Sequence, residues 1–473
     1  MDATTRRNPL PGLLTVAGVL AAALLAFAAT TGSLMLVVGL IGLTVVCATL
    51  FDWTVGVPVL LFVACVDGFF KHLSDASINY VLKDAMLALI LIGMVVRLAM
   101  NPEGRTDGTR WHGMLAWSAY FGFLLTQLLH PSQSLAGGVA AFRAHGGFAI
   151  LFVIGAVYFQ KRERLERAAN GVIALCSFCA VSAILQRALG DRWMHLSPGF
   201  LQASLHYASF PSAAARAAGM IGASYRMYGT LVDPAALGEA CAFGIVVAVA
   251  ALARLRGASR VFAAISIPVM AVAVELSQAR ASIAALVVGM IALVVMLGVR
   301  REVRAVAFVG LLAVALAVPV GVALTNGRLA DRLLSSDSVA YASQLRDQTR
   351  NETLSELPSF PFGHGLGSTG GGGNLRDNTG FAVDNVYFST LYETGIIGLA
   401  LFLVFQVTML YFGIRAMLRA KTTGAYAVFA GIVAAQILML VNGWFSQGAF
   451  DYAPVAQFFW FLSGAVARSD AWA

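Results

Sequence analysis

Charge is what this sequence has least of. Asp, Glu, Lys and Arg make up only 12% of its 473 residues, about half of the roughly one quarter typical of soluble domains. An ordinary water-facing surface is therefore excluded, and so is a disordered chain, which needs many charges and few apolar side chains. Cysteine is also scarce. All five, Cys47, Cys65, Cys176, Cys179 and Cys241, fall within apolar runs, which favours packing over a disulfide framework or redox centre. No His, Cys and carboxylate cluster has metal-ligand spacing, and His195 and His206 stand eleven residues apart without such companions, so no metal is expected. A Walker P-loop and a dinucleotide fingerprint are both absent, and no nucleotide or other cofactor is expected.

What is abundant is apolar length. Hydrophobic residues make up 59% of the chain, and they fall into spans at about 10–30, 32–50, 52–66, 81–99, 112–129, 144–159, 168–188, 234–253, 261–277, 282–299, 305–325, 394–414, 424–442 and 454–467. Each approaches the ~20 residues a helix needs to cross a bilayer core. The runs are continuous rather than alternating, which excludes a transmembrane β-barrel. The expected fold is an all-α polytopic membrane protein with about 14 transmembrane helices. That many crossings take roughly 280 residues, too many to leave a large soluble catalytic domain.

The net charge of +8 arises from 32 basic residues, 28 of them Arg, against 24 acidic ones. Nineteen of the basic residues lie near the termini and in alternate short loops, at Arg6 and Arg7, Arg97 to Arg110, Lys161 to Arg167, Arg254 to Arg260, Arg300 to Arg304, Arg415 to Lys421 and Arg468. The positive-inside rule then puts both termini and these loops in the cytoplasm. The basic excess is read as topology, and no nucleic-acid partner is expected. The first span resembles a signal-peptide core but is expected to be retained, having no convincing small-residue cleavage site. The chain divides into N-terminal transmembrane helices (1–188), an outer loop (189–233), helices with a tight turn at Arg280 (234–325), a large outer loop (326–393) and C-terminal helices (394–473). The two outer loops are the only places with room for chemistry in water.

Three outward segments stand out. In Tyr225-Arg226-Met227-Tyr228-Gly229-Thr230-Leu231-Val232-Asp233-Pro234, Asp233 and Pro234 suit the start of a helix, and the bland reading is a capped helix with an interfacial Arg. In Glu275-Leu276-Ser277-Gln278-Ala279-Arg280-Ala281-Ser282, two charges sit at the membrane boundary with little chain to reach water, which requires pairing or a cavity. Pairing of Glu275 with Arg280 is the bland alternative. The third runs from Pro361-Phe362-Gly363-His364-Gly365-Leu366-Gly367 through Gly370–Gly373 to Asp384-Asn385 and Gly395-Ile396-Ile397-Gly398. Its alternating glycines would let backbone N–H groups approach an anion, or form a flexible tip.

Together these segments resemble the O-antigen ligase and Wzy-type polymerase family, GT-C-like membrane glycosyltransferases that act on undecaprenyl-diphosphate-linked glycans, over roughly residues 220 to 415. Ligases carry a His-Asn-like pair, nine residues and then Gly-x-x-Gly. Here Asp384 and Asn385 are followed by residues 386–394 and then Gly395 and Gly398, so the spacing matches while Asp replaces His. Arg226 with Asp233-Pro234 and, more loosely, Arg280 match two further family segments, and the 361–367 stretch resembles a third.

The resemblance implies transfer of a lipid-linked glycan to a hydroxyl at the periplasmic face of a bacterial inner membrane. Arg226 and Arg280 would bind the substrate diphosphate. Asp384 would be the general base, with His364 and Glu275 as runners-up, and Asn385, Asp233, Tyr228 and Arg143 as further site candidates. Because the His is missing, polymerisation of repeat units into exopolysaccharide, capsule or O-antigen is expected, with ligation to lipid A core as the alternative. A lipid-linked glycan flippase or other transporter is a distant third reading, and a SEDS-type peptidoglycan polymerase lacks the spacing. The implied partners are the undecaprenyl-diphosphate-linked donor, a glycan acceptor, the bilayer, and a chain-length regulator and flippase.

Overall fold

The computed structural model describes residues 34–68, 78–100, 111–131, 135–190, 192–193, 226–231, 233–300, 336–369, 383, 385–451 and 453–472, with six positions between 304 and 315. Among these residues the regular elements are helices and no strand forms. An apolar environment offers the backbone no water, so a crossing segment must satisfy its own N–H and C=O groups, which an α-helix does.

In chain order the helices are α1 (Leu34–Phe51), α2 (Trp53–Cys65), α3 (Ile78–Met100), α4 (Met114–Thr126), α5 (Leu135–His145), α6 (Leu151–Tyr158) and α7 (Arg162–Leu189). They continue with α8 (Pro234–Leu252), α9 (Gly257–Ser277), α10 (Arg280–Gly298), α11 (Ser336–Glu356), α12 (Val386–Arg419), α13 (Thr423–Phe445) and α14 (Val455–Ala467). Among the described residues six helices are long and apolar enough to cross a membrane: residues Glu163–Leu189 of α7, and α8, α9, α10, α12 and α13. The chain is a multi-pass membrane protein. The expected span at 10–30, and most of that at 305–325, lie outside the described residues.

Two expectations are corrected. The span placed at 394–414 starts earlier, at Val386, because Asn385 caps the helix before the apolar run begins. The stretch 326–393 is not simply a loop, since it contains the polar helix α11.

Two compact units divide the chain. One comprises Met1–Leu60 and Val81–Arg105, the other Leu61–Tyr80 and Thr106–Ala473. In the first, a methyl group on Gly56 would strike Thr49 and Ile90, and one on Gly93 would crowd Trp53. Small residues allow the helices this close approach, which is how helices associate where no hydrophobic effect operates.

In the second unit α8 is buried on all sides and forms its centre. Gly155 of α6 and Gly464 of α14 face each other's backbones, and Trp460, Phe405, Phe152 and Phe402 belong to a cluster of stacked and edge-on rings nearby. Helix α13 runs antiparallel to both α8 and α10. Gly431 packs on Ala250 and Leu438 on Gly289, while Glu239 lies beside Asn442 and Ser446.

The ends of this unit differ in chemistry. At one end Arg254 pairs with Glu166 at 2.7 Å and lies against Gly424. Here too Arg300 donates to the Ala420 carbonyl at 2.7 Å, and Asp470 receives His112 at 2.6 Å and Arg419 at 3.8 Å. Basic loops that are far apart in sequence thus gather together. At the opposite ends of α8, α10 and α13 lie Asp233, Arg280 and Phe445.

Candidate functional site

The segment 226–231 is fastened in place mainly by backbone bonds. The buried amide of Gln186 on α7 accepts the N–H groups of Tyr228 and Gly229 at 2.9 and 2.8 Å. Thr230 donates its hydroxyl to the Cys65 carbonyl at 2.7 Å. On the other side the Met227 N–H reaches the Leu276 carbonyl at 3.1 Å, and Arg226 Nε donates to the Ser277 carbonyl at 2.8 Å. The first two sequence segments are therefore one structural feature. Tyr228 is buried in it, with its N–H on Gln186 and its carbonyl accepting the Leu231 N–H at 3.0 Å.

Asp233 caps α8, accepting the Ala235 N–H at 2.6 Å, with Pro234 in the first turn. Helix α9 ends with Gln278 in the left-handed region at φ 51°, and α10 begins at once with Arg280. A guanidinium at a helix N-terminus sits at the positive end of the dipole, the unfavourable place for a cation. Burial pushes the half-buried Arg226 guanidinium below its ordinary pKa, Asp233 opposes that shift, and the neighbouring Arg280 charge lowers it again. Two like charges and a helix N-terminus thus share one place, where an anion is favoured. Glu275 is buried in the last turn of α9, two residues before its end at Ser277, and its Oε2 makes no hydrogen bond among the described residues.

The third segment builds a different feature. Gly395 interrupts α12 with φ 68° and ψ −170°, which deprives the carbonyls before it of regular helical partners. The His364 and Gly365 N–H groups take those of Tyr392 and Glu393, both at 2.9 Å, and the Ile396 N–H turns to the Pro361 carbonyl at 3.3 Å. Gly363 and Gly395 press so closely on each other's backbone segments that a side chain at either would collide with main chain. The expectation that the alternating glycines offer N–H groups to an anion is therefore corrected for His364 and Gly365, whose N–H groups bond to the helix break instead. Gly370–Gly373 lie outside the described residues.

His364 lies between Phe360 and Tyr392, with ring centroids 4.1 and 4.2 Å away, and its Nε2 lies 3.1 Å from Glu356 Oε2. Burial lowers its pKa and Glu356 opposes the shift. Asn385 is a cap, its Oδ1 accepting the Tyr387 and Phe388 N–H groups at 2.8 and 3.1 Å. Its Nδ2 donates to the Trp444 carbonyl at 2.9 Å. Asp384 lies outside the described residues. Arg143 stands exposed on α5, whose neighbours are the 3-10 turns Gln127–Leu129 and Gly147–Ile150.

Antiparallel packing links the first two segments with Asn385. Following α13 from its contact with Gly289 to its end moves in the same direction as following α10 back to Arg280, at the same 1.5 Å rise per residue. The same holds for α8 back to Asp233. Arg226, Asp233, Arg280 and Asn385 consequently belong to one end of the bundle.

Several residues here escaped the sequence reading. Glu239 is the only charged residue in α8, is fully buried, and has no well-formed hydrogen bond from either oxygen among the described residues. A lone carboxylate in an apolar run was the available signal. Glu393, which receives the Thr369 N–H at 3.1 Å and its hydroxyl at 2.5 Å, stands two residues before the first glycine of the Gly395 and Gly398 pair. Arg346 and Arg350, four apart on α11, line a cleft with Asn385 and Trp444, and a polar stretch without an apolar stripe gave no sign of it. Comparison with protein-family models and with curated proteins finds no match to this chain.

Proposed function

We propose that the protein joins undecaprenyl-diphosphate-linked oligosaccharide repeat units into exopolysaccharide, capsule or O-antigen at the periplasmic face of the bacterial inner membrane. The observation that carries this reading is the meeting of Arg226 and Arg280 at the end of the bundle that also holds Asn385. The acceptor hydroxyl oxygen attacks the anomeric carbon of the donor. The bond from that carbon to the diphosphate oxygen breaks, and its electron pair leaves with the lipid diphosphate. Negative charge therefore grows on phosphate oxygens, where forked, permanently charged guanidinium donors are most effective. Arg226 keeps its aim by donating Nε to Ser277, which leaves its two terminal nitrogens for the ligand.

The acceptor proton goes to Asp384, the proposed base. Its sequence neighbours Val383 and Asn385 both line the cleft beside Trp444, and Asn385 serves as a positioning residue by starting α12. His364 fits this role less well, because its ring is stacked on Tyr392 and flanked by the tilted Phe360 ring and its Nε2 faces Glu356.

The test is complementation of a strain lacking the gene, with polymer length read on a gel and membrane abundance on a blot. Arg226→Ala and Arg280→Ala should each lower polymer formation by about two orders of magnitude, the ~3 kcal/mol expected for one donor to transition-state charge. Normal polymer from a well-expressed Arg280→Ala protein would remove the reading.

A further inference from the structure

Helix α11 presents a puzzle: it is polar over its 21 residues in a protein otherwise built of apolar helices. It packs against α12 and buries Thr349 and Thr353, and Arg346 Nη2 donates to the Phe445 carbonyl at 3.4 Å with the guanidinium 5.5 Å from the Phe445 ring centre. This docks α11 across the end of α13 beside an open cleft of about 260 Å³. That volume is close to the lower end of small-ligand pockets, roughly 300–1,000 Å³.

The lining is chemically specific. Arg346 and Arg350 come from one face of α11, with Asp347, Ser343 and Thr349; Val383, Asn385 and Phe388 come from the start of α12, and Trp444 from the end of α13. Trp444 is 53% exposed, while Asn385 grips its carbonyl and fixes its position. An exposed, anchored indole beside a phenyl ring offers flat apolar surface of the kind a sugar ring covers. Arg350 pairs with Asp347 at 3.4 Å, but both remain about half exposed, at 47% and 61%. Among the described lining residues the charged groups are two guanidiniums and one carboxylate. This balance suits a single carboxylate, which a guanidinium binds with two parallel hydrogen bonds. It suits a diphosphate less, since the extra charge would face Asp347.

We infer that this cleft binds a carboxylate-bearing sugar of the glycan, stacked on Trp444 and held by Arg350 and Arg346. The inference rests on the proposed function for its biological setting and sharpens it to polymers built from acidic repeat units. Its test reads binding without turnover, so the two stand or fall separately.

The full chain in lipid nanodiscs is titrated calorimetrically with trigalacturonate, with neutral maltotriose and with inorganic pyrophosphate. Trigalacturonate should bind at least about tenfold more tightly than maltotriose, a difference of ~1.4 kcal/mol, and more weakly at high salt. Arg350→Gln and Trp444→Leu should each weaken it by about tenfold or more while leaving the thermal unfolding midpoint unchanged. That last control separates ligand stacking from simple anchoring of a Trp at the membrane interface. Equal binding of the two trisaccharides, retention of affinity in Arg350→Gln, or displacement of trigalacturonate by pyrophosphate would each overturn the inference. A protein inactive in polymerisation that still shows the selective binding would leave the cleft assignment intact.

Discussion

Hydrogen-bond accounting at single residues separates scaffold from chemistry. Asn385 uses both ends of its amide, two helical N–H groups on one side and the Trp444 carbonyl on the other, so its identity follows from capping alone. Asp384, immediately before it, need not cap, since that position is filled. This sharpens a test of the proposed base. Asp384→Asn should keep membrane abundance and thermal stability near those of the parent, because the cap survives, yet abolish polymer. Asp384→His should retain partial activity, because an imidazole also accepts a proton near neutral pH. Full-length polymer from Asp384→Asn would eliminate this carboxylate as the base. Position 385 could be read as a cap from its place before an apolar run, whereas Gln186 could not. Its amide serves a segment more than forty residues away, a pairing that nothing local in the sequence announces.

At the scale of elements the Gly-x-x-Gly spacing after Asn385 acquires a mechanical meaning. Gly395 takes a left-handed φ of 68°, and the carbonyls released before it are claimed by the 361–365 segment. Gly398, one turn on, leaves no room for a side chain against Thr394 and the Phe123 ring. Gly395→Ala combines the cost of a backbone region open essentially to glycine alone, of order 1–3 kcal/mol, with collision against the Pro361 carbonyl and Phe362 backbone. A drop of several degrees in the thermal unfolding midpoint is expected, with loss of polymer formation, because the start of α12 and the Trp444 side of the cleft shift together. Unchanged unfolding in Gly395→Ala would mean that the break is not held by this packing. The long apolar helices were legible because hydropathy reports burial in lipid directly. Helix α11 was not, because what fixes it is packing against α12 and Arg346 on a carbonyl of another helix, tertiary contacts with no local periodicity.

At the scale of the molecule, charge is sorted between two ends. The cations near residues 164, 254, 300 and 419 were read from the sequence as one cytoplasmic face, and in the fold the connections they occupy are neighbours. Arg254 reaches Glu166 and Asn170, Arg300 reaches Ala420 and the Tyr426 ring, and Arg419 and His112 share Asp470. The other end holds Arg226, Arg280, Arg346 and Arg350 among the described residues, and between the ends runs α8 with Glu239 buried beside Asn442 and Ser446. An orientation is predicted from the positive-inside rule, since short loops rich in Lys and Arg belong on the side of synthesis. Reporter fusions after Arg164 and Arg256 should therefore read cytoplasmic, and fusions at Ala203 and Ser336 periplasmic. The Arg254 to Glu166 contact ties the first two sites to the same end, so a split result between Arg164 and Arg256 would contradict the packing itself. A periplasmic signal from both would instead invert the whole bundle, carry Arg226 and Arg280 to the cytoplasm, and remove them from any lipid-linked glycan presented on the outer face.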